Sequence, residues 1–130
     1  MNADLNFTEQ IKSCYASAKN YPDLAKRLSD IGIQSYTVDT ATSTILYRFA
    51  DGEHIIRAGD ISPRSINELF NEEKTIASIR NNQQGKSDYP GFMNEIAAAG
   101  VRFYEATLVG YNRRVTYIGY GGYYEEAIPG

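Results

Sequence analysis

The sequence has no tryptophan, one cysteine, one histidine and four prolines in 130 residues. Each scarcity excludes something. With Cys14 alone there is no intrachain disulfide and no cysteine-based zinc cluster, and a reducing compartment is the simpler expectation. With His54 alone, any Ser-His-Asp or Cys-His arrangement has to use it. It stands in Asp51-Gly52-Glu53-His54, just after a turn signal, where a solvated strand end is expected. Metal sites rich in His or Cys are excluded. No segment has the alternating acidic and amide positions with a closing Glu that a calcium loop requires.

Other absences narrow the function classes. There is no run of roughly 18 apolar residues, so no membrane-spanning helix is expected. The opening Met-Asn-Ala-Asp-Leu-Asn lacks the basic start and apolar core of a secretory signal, which makes the cytoplasm the expected location. A basic surplus is missing too. Thirteen Lys and Arg face sixteen Asp and Glu, for a net charge of −3. The only basic groupings are Lys26-Arg27 and Arg113-Arg114, so nucleic-acid binding is disfavoured.

What the chain does have is tyrosine, eleven in all, within a composition of 42% hydrophobic and 22% charged residues. That composition fits one soluble domain spanning residues 1–130. Tyrosine carries apolar area together with a hydroxyl that needs a partner when buried. It suits a sheet core with hydroxyls at the rim, and it suits a recognition surface.

The periodicities predict helices and strands in alternating groups. Asn6 followed by Glu9 fits a capping box opening a helix over 7–19, with Ile11, Cys14, Tyr15 and Ala18 in one stripe. Pro22 suits the first turn of a second helix, and Gly32 its end. Strands are predicted over 33–40, 44–50 and 54–58, the last two joined by Asp51-Gly52. The stretch 59–70 carries no readable period. Asn71 then caps a helix reaching about Asn82, with Glu72 and Glu73 in its first turn. Another helix runs from Tyr89-Pro90 to Gly100, followed by strands over 101–109 and 115–120. Residues 123–128 fit a last edge strand or a loose end.

Two segments share a pattern. Tyr21-Pro22, Leu24, Leu28, Gly32-Ile33 and Tyr36 correspond to Tyr89-Pro90, Phe92, Ile96, Gly100-Val101 and Tyr104, each 68 positions further on. Tyr47 and Tyr117 correspond at a spacing of 70. The expected architecture is therefore α+β: a two-layer sandwich with an antiparallel sheet and helices on one face. It is built from an internal duplication of a helix-helix-strand-strand unit, with halves at about 6–58 and 71–128.

Strand alternation assigns Tyr36, Val38, Ile45, Tyr47, Tyr104, Ala106, Leu108, Val115 and Tyr117 to the covered face. The open face then carries Ser35, Thr37, Leu46, Arg48, Phe103, Glu105, Thr116 and Ile118. Leu46, Phe103 and Ile118, if close together, are a candidate association surface. Gln83 and Gln84, in the polar break between two helices, are candidate contact residues. Tyr36, Tyr47, Tyr104 and Tyr117 are candidate binding residues, lining a cleft between the halves.

Gln83-Gln84-Gly85-Lys86-Ser87-Asp88-Tyr89-Pro90-Gly91-Phe92, Ala98-Ala99-Gly100-Val101-Arg102-Phe103-Tyr104-Glu105 and Val115-Thr116-Tyr117-Ile118-Gly119, with Gly32 to Asp39, make the chain resemble the YdfO-like family. That family comprises small bacterial and prophage-encoded proteins, some labelled phage envelope proteins. The resemblance covers nearly the whole chain and departs from the family at Gly119 to Tyr124, in the last hairpin. It implies a small α+β fold, and no catalytic residues carry over from it.

No nucleophile–base set and no cofactor motif stands out, so no enzymatic activity and no cofactor are expected. The leading expectation is a non-enzymatic accessory protein acting by protein–protein contact, as a homo-oligomer or with a protein partner. The alternative is a small-molecule-binding module with a Tyr-lined cleft between the halves.

Overall fold

The computed structural model describes residues 3–59 and 61–129, with side chains from Phe7 onward. Among these residues the elements run α1 (Ala3–Ser17), α2 (Tyr21–Asp30), β1 (Ile33–Asp39), β2 (Ile45–Phe49), β3 (His54–Arg57), α3 (Glu72–Gln83), α4 (Tyr89–Ala98), β4 (Phe103–Thr107), β5 (Arg114–Ile118) and β6 (Tyr123–Ala127). The order helix-helix-strand-strand-strand occurs twice. Each half thus has one strand more than the expected four-element unit, because the turns after β2 and β5 bring the chain back to pair again.

Local chemistry explains the helix boundaries. Asn20 accepts the Asp23 amide at 2.9 Å to open α2, and Asp88 accepts the Gly91 amide at 2.8 Å to open α4. Each helix has a proline in its first turn, where the missing amide costs nothing. Gly32 and Gly100 follow these helices at φ 99° and 89°, a region that disfavours side chains. Asn71 opens α3 by accepting the Lys74 amide. The capping box at Asn6–Glu9 does not mark the start of α1, which begins at Ala3. No Gly or Pro stands between Ala3 and Asn6 to stop the helix from extending back. The side chain of Asn6 lies outside the described residues.

The sheet has the order β3-β2-β1-β4-β5-β6, with every neighbouring pair antiparallel. That order reads the same outward from the β1–β4 seam in both directions. In the central ladder Tyr36 faces Ala106, Thr37 faces Glu105 and Val38 faces Tyr104. A step of 68 positions exchanges Tyr36 with Tyr104 and Thr37 with Glu105, so the ladder maps onto itself. The outer ladders match as well: Tyr36 faces Tyr47 as Tyr104 faces Tyr117.

Alternation along the strands sets the core. Tyr36, Val38, Ile45, Tyr47, Tyr104, Ala106, Val115 and Tyr117 are buried under the helices. Their sequence neighbours Thr37, Leu46, Arg48, Phe103, Glu105, Thr116 and Ile118 are only half-buried on the other face. The helices contribute Ile11 and Cys14, Ala25 and Leu28, Ile79, and Phe92, Met93 and Ile96. Each large apolar side chain fully buried this way contributes roughly 1.5–3 kcal/mol of transfer free energy. Helix α1 packs chiefly with α2, and α3 with α4.

The stretch that carried no sequence period is a connector without helix or strand over 61–71. Its amides bond to other segments: Arg64 to the Ala41 carbonyl, Asn67 to that of Ala97, and Asn71 to that of Ala99. The Arg64 guanidinium also donates to the Thr40 carbonyl and to Ser43 Oγ. Among the described residues no helix is long and apolar enough to cross a membrane.

Candidate functional site

The two helix pairs straddle the β1–β4 seam, and a cleft of about 350 Å³ lies between them. The strands supply Tyr36, Tyr104 and Tyr117; the helix starts supply Tyr21 and Tyr89; the end of α1 supplies Tyr15. Leu24, Ile79, Phe92, Val115 and Ile128 make the rest of the lining largely apolar, and Lys19, Asn82, Gln83 and Glu126 supply its polar groups.

The tyrosine hydroxyls pair off. Tyr21 and Tyr36 lie 2.6 Å apart, and Tyr89 and Tyr104 lie 3.2 Å apart, in both cases across 15 positions of chain. Tyr15 and Tyr47 form a third pair at 3.0 Å. Tyr47 is fully buried and borders a smaller cavity with Ile11, Ile55 and Arg57; it meets the lining of the main cleft through the Tyr15 hydroxyl and through the Tyr36 ring, 5.8 Å away. The rings also touch edge-on or tilted, with Tyr104 and Tyr117 centroids 5.4 Å apart and Phe92 and Tyr104 6.3 Å apart. Such ring pairs add about 0.5–1.5 kcal/mol each beyond their buried area.

The hydroxyl pairing differs between the halves at one point. Tyr117 occupies the place of Tyr47, but Gln83 stands 68 positions after Tyr15. Gln83 Oε1 accepts from Arg80 Nη1 instead. The Tyr117 hydroxyl therefore has no hydrogen-bond partner among the described residues, although its side chain lines the cleft and the residue is only 6% exposed.

Burial, reinforced by neighbouring hydroxyls, pushes Tyr36 and Tyr104 well above the ordinary tyrosine range. Burial does the same to Tyr117, and it pushes Tyr21 up to about 12 against the opposing hydrogen bond from Tyr36. These groups are neutral O–H groups at physiological pH. Glu126 is already engaged: Arg80 donates to both its oxygens, at 3.2 and 2.8 Å, and the Tyr124 hydroxyl donates at 3.0 Å. The site thus combines aromatic ring faces, an apolar side and neutral hydroxyl donors, with its one lining carboxylate satisfied.

Of the residues singled out in the sequence, Tyr36, Tyr104 and Tyr117 come together here, and Tyr47 sits one strand away. Gln83 ends α3 and lines the cleft, while Gln84 is the exposed C-cap of that helix. Leu46, Phe103 and Ile118 lie on the opposite face and do not form one patch. Phe103 pairs with Ile118, but Leu46 pairs with Ile56, and β1 separates β2 from β4. Tyr15, Tyr21 and Tyr89 were not singled out for binding. The signal for two of them was present: the Tyr-Pro helix starts stand 15 positions before the strand tyrosines they bond.

A family model described as "Protein of unknown function (DUF1398)" matches residues 7–119. No curated protein matches the chain.

Proposed function

Given that the chain belongs to this DUF1398 family, whose description assigns no activity, we propose that it is a small-molecule-binding module using the tyrosine cleft. The observation that carries this reading is Tyr117, a side chain only 6% exposed that lines the cleft and whose hydroxyl bonds to no described residue. The hydroxyl opens onto the cleft, where solvent reaches it, and a ligand that takes its hydrogen bond also covers the apolar lining. The volume of about 350 Å³ stands at the low end of roughly 300–1,000 Å³ typical of ligand sites, so the occupant is small.

A thermal-shift screen of metabolites tests the reading. At 100 times its dissociation constant a ligand adds about 2.7 kcal/mol. The expected result is at least one stabilising compound whose effect disappears in Ala18→Trp, which fills the cleft from its lining. Absence of any shift across a broad library, or a shift that survives Ala18→Trp, overturns it.

A second reading is protein–protein contact through the open sheet face. It is favoured by the row Phe103, Ile118 and Tyr123, which sit side by side in register on β4, β5 and β6. The YdfO-like resemblance, with its prophage association, supports an accessory role of this kind. Light scattering across concentrations should show association that Phe103→Glu abolishes with the circular dichroism unchanged. A monomer throughout, with no partner recovered from host lysate, sinks it.

A further inference from the structure

Charge narrows the class of compound the cleft takes; the inference rests on the small-molecule reading above. Of the described residues that line the cleft, two are ionised, Lys19 and Glu126. Glu126 is matched by Arg80, which donates to both its oxygens at 3.2 and 2.8 Å. Lys19 is exposed to water, and its backbone amide donates to Asp23 Oδ2 at 3.0 Å, which sets a carboxylate beside it. The starts of α2 and α4 add no unmatched positive end, since Asp23 stands in the first turn of α2 and Asp88 caps α4.

The buried part of the lining is neutral. Ile79, Phe92 and Val115 are each less than a tenth exposed. The tyrosines beside them are O–H groups at physiological pH, because burial raises Tyr36, Tyr104 and Tyr117 above their ordinary range. An ion that enters far enough to cover these side chains gives up water and meets no unmatched opposite charge, an exchange that disfavours either sign. A neutral body loses little on the same path and removes apolar surface from water. Tyr117 supplies one polar anchor, since its hydroxyl bonds to no described residue and can donate to an oxygen.

We infer that the cleft binds an uncharged small molecule, an apolar body with a hydroxyl or carbonyl oxygen that accepts from Tyr117. The body covers Ile79, Phe92 and Val115. Ionised acids and amines of the same shape are rejected by the hydration they would lose.

Calorimetry or ligand-observed NMR on the purified full chain at pH 7 tests this with three probes of one carbon skeleton: cyclohexylmethanol, cyclohexanecarboxylate and cyclohexylmethylamine. The alcohol should bind at millimolar concentration, at least about tenfold more tightly than either ion. Tyr117→Phe, which keeps the ring, should weaken the alcohol about threefold to tenfold with the circular dichroism unchanged. If the carboxylate equals or exceeds the alcohol, or if the amine does so through the attraction of ring faces for ammonium groups, the uncharged class is overturned. Alcohol binding that Tyr117→Phe leaves untouched, or no binding by any of the three, overturns it too. The metabolite screen judges the small-molecule reading separately: ionised hits leave that reading standing without this class, and an empty screen removes both.

Discussion

Thr37 donates its hydroxyl to Glu105 at 3.1 Å across the centre of the sheet, and the two are counterparts 68 positions apart. Arg48 joins them, its Nη1 donating to Thr37 at 2.9 Å and to Glu105 at 3.3 Å. The Arg48 and Glu105 side chains remain 40% and 44% exposed, so water screens the pair. Glu105→Gln should lower stability by only about 0.5 kcal/mol, read as a small shift of the urea midpoint. A loss above about 2 kcal/mol would mean that this triad, and not the buried face, holds the seam.

Gly32 and Gly100 end corresponding helices with the same left-handed backbone, but their surroundings differ. A Cβ at Gly32 would meet nothing closer than Phe49 at 3.8 Å; at Gly100 it would fall 2.5 Å from the Leu69 carbonyl oxygen. Gly32→Ala should cost about 1–2 kcal/mol, the backbone penalty alone. Gly100→Ala adds displacement of the connector and should cost about 3 kcal/mol or more. Denaturant melts of the two variants give the comparison, and equal losses would contradict it.

The buried tyrosines set an alkaline limit on stability. Burial raises Tyr21, Tyr36, Tyr104 and Tyr117 above the unfolded value of about 10. Their contribution is complete below that value and is lost as the pH climbs through the folded values. Tyrosinate absorbance from these rings should appear together with loss of circular dichroism, beginning above about pH 10. Ionisation of all eleven tyrosines with the fold intact would show that the cleft hydroxyls are not enclosed.

Asp39 gives the opposite sign. Burial works against its charge, but the Thr42 hydroxyl and the Arg102 guanidinium outweigh that and hold the carboxyl below its usual range. Its contribution is complete above about pH 4 and is lost as the pH falls through the lowered value. The side chain is about one-third exposed, so Asp39→Asn should cost only about 0.5–1 kcal/mol at neutral pH. The gap from the parent protein should narrow below about pH 4 in acid titrations of stability.

Strand alternation sufficed to put Tyr36, Tyr47, Tyr104 and Tyr117 on the covered face, because a period of two leaves each residue one choice of side. The Tyr-Pro starts and the Gly stops located α2 and α4 for an equally local reason. The connector was illegible because its amides bond to Ala41, Ala97 and Ala99, partners that no local pattern encodes. Tyr15 was hidden for a related cause: its helical stripe explained it as packing, and only the tertiary arrangement brings its hydroxyl to Tyr47. Strand parity put Leu46, Phe103 and Ile118 on one face but does not give the distance across it, and β1 lies between Leu46 and the other two.

Gln83 has a consequence beyond freeing one hydroxyl. A groove centred on a twofold relation accepts an unsymmetrical guest equally well facing either way, and so holds a mixture of two poses. With glutamine on one flank and tyrosine on the other, the two directions differ in energy. The groove acquires a polarity, and the proposed guest, if its head and tail differ, would favour one orientation over the other.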